Sequence, residues 1–388
     1  MTVFYFDLVK TGTARAGVLH TPHASIETPC FMPVGSQATI KTLTPDEVRD
    51  IGYKIILANN YHLYLRPGTK VVESYGGLHK FMNWDGAMLT DSGGYQVFSL
   101  SPLRKMSDDG VTFRSHIDGS EHFFSPELAI KYQESFGADI IMALDECPPV
   151  EGSHDVIAAA VARTHSWAVR CLKAKTRDDQ ALFPIVQGGL HADLRRRSAQ
   201  GLVAEEFPGY AIGGLAIGES KDQTIEITAE TTAVLPVDKP RYLMGVGSPE
   251  DIVRGVGAGI DMFDSALPTR VARNGALFTR HGRIDIVNAR YEGDKNPIEN
   301  GCACYTCSRF SAGYVHHLFR AKELLAYRLA TLHNLSFMFT LMADIRRAII
   351  SERYDGFSRN FIAEYRTTDE TVRLNQKRQW LQGRHTEN

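Results

Sequence analysis

Six short blocks set acids, amides and glycines directly after apolar segments: Asp91-Ser92-Gly93-Gly94-Tyr95-Gln96, Asp145-Glu146-Cys147, Gln187-Gly188-Gly189, Gly213-Gly214-Leu215-Ala216, Met244-Gly245, and Asp264. The first and last hold the carboxylates most suited to chemistry. Several acids with neither a phosphate-cradling loop nor a G-x-G-x-x-G fingerprint suit substitution at a sugar carbon, one acid attacking while another moves the proton. Asp, Gln and glycine-exposed backbone amides match the hydrogen-bonding edge of a purine. Tyr95 and Met244 offer two faces for a flat ring, or serve as core. Asp264 follows the apolar run Ile260, Met262, Phe263 and precedes Arg270 and Arg273, a cationic arm for phosphates. Read locally, Asp264 equally caps a turn, and Pro268 argues against simple continuation as strand or helix.

A second cluster suits a metal. Cys302-x-Cys304-x2-Cys307 supplies three thiolates. On spacing alone the fourth ligand is His316, His317 or His333, the last 26 residues after Cys307 at the end of a helical run. Three sulfurs and an imidazole close a tetrahedral Zn²⁺ site with no position for water, which makes it structural. It would staple the insertion 271–310 to the helix carrying the histidine.

The elements that must position these groups recur. Eight apolar segments read as strands: Phe31–Val34, Lys54–Leu57, Ala87–Thr90, Asp139–Leu144, Phe183–Val186, Tyr210–Ile212, Tyr242–Met244 and Ile260–Phe263. Helix starts lie between them, at Thr44-Pro45-Asp46-Glu47, Ser125-Pro126-Glu127 and Ser248-Pro249-Glu250. Continuous apolar strands alternating with helices predict an α/β fold, a parallel (β/α)₈ barrel, with a doubly wound sheet as the alternative. In a barrel, residues just past the strand C-termini meet at one mouth, and that is where all six blocks fall.

The expected organisation is a β-rich lead-in over 1–30, barrel strands and helices over 31–270, a metal-binding insertion over 271–335, and closing helices with a polar tail over 336–388. A hairpin is expected at Val111–Arg114 and Glu121–Phe124 about Asp118-Gly119. Helical periodicity is expected from Tyr314 to about Phe361, with breaks, and frayed polar residues from Arg373.

Composition bounds the rest. The chain has 388 residues, 43% hydrophobic and 23% charged, with a formal net charge of −2. Whole-protein charge therefore names no partner, but ten Lys/Arg against five Asp/Glu between Arg270 and Arg328 mark a basic stretch suited to a polyanion or to a solvated helical face. No basic-apolar leader opens the sequence and no apolar run is long enough for a bilayer, so a cytoplasmic protein without a membrane partner is expected. In a reducing compartment the clustered cysteines favour metal over disulfides.

Taken in order, seven blocks resemble the tRNA-guanine transglycosylases over nearly the whole chain: Asp91–Phe98, Asp145-Glu146-Cys147-Pro148-Pro149, Ile185–Gly189, Gly213–Ala216, Tyr242–Gly247, Phe263–Arg270 and the Cys302/Cys304/Cys307/His333 set. The resemblance implies an irregular (β/α)₈ TIM barrel with a C-terminal zinc-binding subdomain. It implies that Asp264 attacks ribose C1′ of the guanosine at the anticodon wobble position, displacing guanine and holding the tRNA covalently, with ping-pong kinetics. Asp91 would be the general acid/base. Asp91, Ser92, Asp145, Cys147, Gln187, Gly213, Gly214 and Leu215 would bind the base, with Tyr95 and Met244 as stacking faces. Thr269, Arg270 and Arg273 would grip the anticodon loop, and His333 would be the fourth zinc ligand. The family resemblance also implies a homodimer. Cys147 and a bulky Ile217 resemble bacterial members, which insert 7-aminomethyl-7-deazaguanine (preQ1). A queuine-inserting enzyme is the nearest alternative. A catalytically inactive tRNA-binding subunit would be expected to lack the Asp91/Asp264 pair.

Overall fold

The structure is a computed structural model of the chain and describes residues 4–100, 104–149 and 152–367. The polar tail expected from Arg373 lies outside the described residues. Eight parallel strand positions run Cys30–Pro33, Ile55–Ala58, Ala87–Thr90, Ile140–Met142, a fifth in two pieces (Ala181–Phe183 and Ile185–Val186), Tyr210–Ile212, Arg241–Leu243 and Met262–Ser265. They form two parallel arcs. The fifth strand gives one piece to each arc, because Pro184 has no N–H to donate and breaks the ladder there. A parallel bridge between Val34 and Leu57, with Gly35 N donating to Leu57 O at 2.7 Å, joins the first strand to the second. The ring is thereby complete, and it is the irregular (β/α)₈ barrel.

Alternation along the strands sorts the core into two layers. Ile55, Leu57, Leu89, Met142, Phe183, Ile185, Tyr242 and Met262 pack together inside the barrel. Ile56, Ala58, Met88, Ile141, Leu182, Leu243 and Phe263 pack outward against the helices. The lead-in is a three-stranded antiparallel sheet, Tyr5–Lys10, Ala16–His20 and Ser25–Thr28. Its Leu19 and Ile26 join the inner layer, so this sheet closes the barrel at one end.

Helix starts follow the local chemistry. Thr44 and Glu47 form a reciprocal capping box at Pro45–Ile51, and Ser125 Oγ accepts from Leu128 N at the head of Pro126–Phe136. Ser248 makes no such cap; its hydroxyl goes to Asp251 instead. The expected hairpin is present and has a third strand, Arg104–Met106, too short to show in the alternation. Pro268 does not bar a helix: Leu267–Arg273 is helical with Pro268 in its first turn, where the missing N–H costs nothing. The C-terminal part holds a hairpin, Ala276–Thr279 with Gly282–Asp285, and helices Tyr305–Arg309, Ala312–Arg320, Leu324–Ile350 and Tyr354–Glu364. His333 therefore sits well inside the 27-residue helix Leu324–Ile350 and not at a helix end. Among the described residues, no helix is long and apolar enough to cross a membrane.

Candidate active site

Strand parity explains how the acids come together. Inward positions recur every second residue, and continuing that count past the strand ends reaches Asn59, Asp91, Gln187, Gly213, Met244 and Asp264. Asp264 lies within the last strand, one residue before its end. Asp145 departs from the count, because the fourth strand ends at Met142 and the chain runs irregularly to the acid.

Asp264 is 9% exposed. Its Oδ1 accepts from Tyr242 Oη at 2.5 Å and from Gly245 N at 2.7 Å. Burial raises its carboxyl above the ordinary value, and the two donors hold it back. Asp91 is 6% exposed; Asn60 N donates to its Oδ1 at 2.8 Å and Asn59 Nδ2 to its Oδ2. Burial, and after the counteracting bonds from Asn59 and Asn60 the charge of Asp264, push Asp91 up to about 7. The two acids therefore sense each other across one space. Among the described residues, neither is paired with a lysine or arginine.

Beside them runs a polar chain. Ser92 Oγ donates to Asp145 Oδ1 at 2.7 Å, and Gln187 Nε2 donates to Asp145 Oδ2 at 2.8 Å. Gln187 Oε1 is buried with no hydrogen-bond partner, an acceptor left over for a bound group. Gly214 has φ +66°, and a Cβ there would lie 2.3 Å from that oxygen, so only glycine admits the approach. Arg195, fully buried, ties the loops together: its guanidinium donates to Gly189 O at 2.9 Å, Val186 O at 2.9 Å and Gly213 O at 2.7 Å. Burial lowers its pKa to about 10. Glu219 accepts from the backbone N–H groups of Ala216, Ile217 and Gly218 and so fixes the turn after Leu215.

Tyr95 lies on the helix Gly94–Leu100 and is exposed; Met244 is half-buried beside Gly213. Cys147 is buried and lines an 80 Å³ cavity with Gly94, Phe98, Arg104 and Asp145; burial raises its thiol. Arg270 is exposed, and Arg273 Nη1 donates to Thr269 O at 2.8 Å. Thr269 is buried and turns its hydroxyl to Ala266 O, so its side chain serves the helix Leu267–Arg273.

The four metal-ligand candidates converge. His333 Nδ1 lies 4.0 Å from Cys302 Sγ, 3.5 Å from Cys304 Sγ and 3.4 Å from Cys307 Sγ. Bonds of about 2.3 Å to sulfur and about 2.0 Å to nitrogen put tetrahedral S and N neighbours about 3.5 Å apart, so the set fits a metal ion. His333 Nε2 bonds Phe278 O at 2.7 Å, which reserves Nδ1 for the ion. His316 Nδ1 bonds Ile286 O at 2.8 Å and His317 is exposed; neither joins the cluster. The next residue, Asn334, donates to Pro268 O and Ala276 O and accepts from Phe278 N, each at 3.0 Å. One helix thus holds the metal cluster and clamps the arm that follows Asp264.

Sequence reasoning missed Asn59, Asn60, Tyr242, Arg195, Glu219 and Asn334 as site-building residues. Asn59 was findable by the strand-end rule applied to the second strand. Arg195 sits in a run of three arginines on a helix and carries no local mark of burial.

A buried acid pair at a barrel mouth beside a polar edge is an arrangement of the kind glycosyl transfer uses. Comparison with known proteins narrows that class. A profile of the queuine tRNA-ribosyltransferase family matches residues 10–367. The chain is 55% identical over 385 residues to a queuine tRNA-ribosyltransferase of Dehalococcoides mccartyi, covering 98% of both chains. It is 57% identical over 362 residues to that of Herpetosiphon aurantiacus, covering 93% of this chain and 92% of the relative. It is 58% identical over 369 residues to that of Caldanaerobacter subterraneus, covering 94% and 98%. The chain belongs to the queuine tRNA-ribosyltransferase family.

Proposed function

We infer from the acid pair how this enzyme works. The chain is a tRNA-guanine transglycosylase, a pentosyltransferase of tRNA queuosine modification. Asp264 attacks C1′ of the wobble guanosine as the bond from C1′ to the base nitrogen breaks. The departing guanine takes a proton from Asp91. An ester now joins Asp264 to the ribose, so the tRNA stays bound. In the second half Asp91 removes the proton from the incoming base, that nitrogen attacks C1′, and Asp264 is released. The carrying observation is the pairing of Asp91, at about 7, with a buried Asp264 held by Tyr242 and Gly245. A group near neutrality serves both as donor and as acceptor.

The base is bound by Asp91, Ser92, Asp145, Cys147, Gln187, Gly213, Gly214 and Leu215, between Tyr95 and Met244. The unpartnered Gln187 Oε1 and the loop amides held by Arg195 support that assignment. The incoming base is preQ1, favoured over queuine by the bulk of Ile217. Thr269, Arg270 and Arg273 contact the anticodon loop, Thr269 through the helix it steadies. Cys302, Cys304, Cys307 and His333 bind one structural Zn²⁺. The enzyme works in the cytoplasm as a homodimer.

The test is exchange of labelled guanine into tRNA, followed by denaturing electrophoresis. Wild-type enzyme should exchange and show a tRNA adduct that persists under denaturation. Asp264→Ala should do neither; full activity in that variant would overturn the nucleophile assignment.

A further inference from the structure

We propose a second metal site, at the end of the barrel closed by the N-terminal sheet, formed by His23, His79 and Asp139 and suited to a borderline divalent cation of the Zn²⁺ or Co²⁺ type. Three separate elements supply it. His23 stands in the turn between Ala16–His20 and Ser25–Thr28, His79 on the short helix Leu78–Met82, and Asp139 immediately before the fourth strand. His23 Nδ1 lies 2.8 Å from Asp139 Oδ1, and His79 Nε2 lies 3.4 Å from Asp139 Oδ2. All three ligand atoms lie within 4.8 Å of one another. Bonds of about 2.0–2.2 Å to nitrogen and oxygen place tetrahedral neighbours about 3.4 Å apart, so the His79 contact already has the required size and the His23 contact must open by about half an ångström.

The carboxylate is already fixed. Met88 N donates to Asp139 Oδ2 at 2.8 Å and His23 N to Oδ1 at 3.2 Å. The two imidazole rings stack with centroids 3.8 Å apart at 18°, both turning a nitrogen to the same acid. The Asp139 side chain is fully buried, whereas His23 is 40% exposed and provides the way in. His79 Nε2 also donates to Gly86 O at 3.1 Å, so binding requires that bond to be given up and each ring to carry its proton on the nitrogen away from Asp139; imidazole and carboxylate together suit such cations. Three protein ligands leave water to complete the coordination. The ion would pin the N-terminal sheet to the barrel wall. It would take no part in base exchange, since Asp139 precedes its strand while Asp91 and Asp264 stand at the C-terminal ends of theirs.

The test starts from full-length protein whose cysteine site is filled with Zn²⁺, titrated with Co²⁺. We expect one further equivalent, with visible ligand-field absorption and no thiolate-to-cobalt charge-transfer band. His23→Ala and His79→Ala should lose that equivalent, while His154→Ala, in the exposed His154/His191/Asp193 cluster, should keep it. If His79→Ala fails to fold, His23→Ala alone decides, because its ring is partly in solvent. Absence of a further equivalent, a thiolate band, or binding that survives His23→Ala overturns the proposal.

Discussion

Two aspartates three residues apart on the last barrel segment, Asp261 and Asp264, are treated in opposite ways. Asp261 is fully buried and neutralised: Arg15 Nε and Nη2 donate to its two oxygens at 2.8 Å each, and Arg241 N adds a bond at 2.7 Å. Arg15 also donates to Val237 O and Lys239 O. Asp264 receives a phenol and one amide, both on Oδ1, and no cation. A salt-bridged carboxylate with its lone pairs occupied is a weak nucleophile. Burial raises the carboxyl of both acids, so what sets Asp264 apart among the described residues is its oxygen free of donors and the absence of a cation beside it, which leave it poised to react. At the closed end Asp261 has donors on both oxygens, whereas at the mouth Asp264 keeps one oxygen free of them.

That contrast predicts different losses from the same substitution. Asp264→Ala should lower exchange by about 10⁴-fold or more, the scale for removing a nucleophile, with little change in melting temperature. Asp261→Ala leaves Arg15 buried and unpaired and should cost about 3–5 kcal/mol of stability, with exchange per folded molecule retained. Thermal melts and an adduct count on the folded fraction separate the two. Comparable loss of chemistry in both variants would erase the distinction.

The metal cluster extends the comparison to a third region. His333 and Asn334 are adjacent on one helix, one for the ion and one for the carbonyl of Pro268. On the proposed Zn²⁺ assignment, stripping the ion frees a buried imidazole and three thiols, and structural zinc is worth about 10–16 kcal/mol in small domains. Chelation of the enzyme should therefore abolish exchange by loosening the arm after Asp264, and Zn²⁺ should restore it. The guanidinium and carboxylate contacts at Asp261 should be untouched, so the barrel signal in far-ultraviolet circular dichroism should persist. Full exchange by metal-free enzyme would break this coupling.

Acid-pair electrostatics set a pH dependence. Attack needs Asp264 ionised and Asp91 protonated, a state populated above the Asp264 value and below about 7. The rate of adduct formation should follow a bell whose alkaline limb falls through about 7. Stability carries the same sign. The folded chain keeps the Asp91 proton from the unfolded value near 3.8 up to about 7, so more protons are bound in the native state and stability declines as pH rises across that window. Asp91→Asn should flatten this decline while losing exchange. A melting temperature equally pH-dependent in that variant would move the titration to another group.

The barrel was legible because its strands are buried on both faces, and continuous runs such as Ile55–Ala58 and Ala87–Thr90 announce themselves. The strand-end rule then set Asp91, Gln187 and Asp264 at one mouth, and the strand parity seen in the structure turns them inward. What escaped was set by contacts remote in sequence. Arg195 reads as a surface arginine until Gly213 and Val186 are seen around it. Tyr242 reads as core, and only its register beside Asp264 makes it a donor. Pro268 shows how a residue that ends one element begins the next: the sequence marks a break, and the helix phase behind it depends on packing against Leu324–Ile350.

The smallest effect concerns which base enters. Ile217 is half-buried, in a turn whose three successive N–H groups all point to Glu219. The backbone is therefore held independently of the side chain, and substitution changes volume without moving the loop. Ile217→Val removes one methylene and Ile217→Gly most of the side chain. Pocket changes of this size discriminate by about 1–3 kcal/mol, or about 10–200-fold in the ratio of kcat/KM for two bases. We expect Ile217→Val to shift the preQ1-to-queuine ratio toward queuine by less than about tenfold, and Ile217→Gly by more, both with guanine exchange preserved. Competition between the two bases for one tRNA measures this directly. An unchanged ratio in the glycine variant would mean that residue 217 does not border the substituent distinguishing the bases, and that the Cys147 wall does.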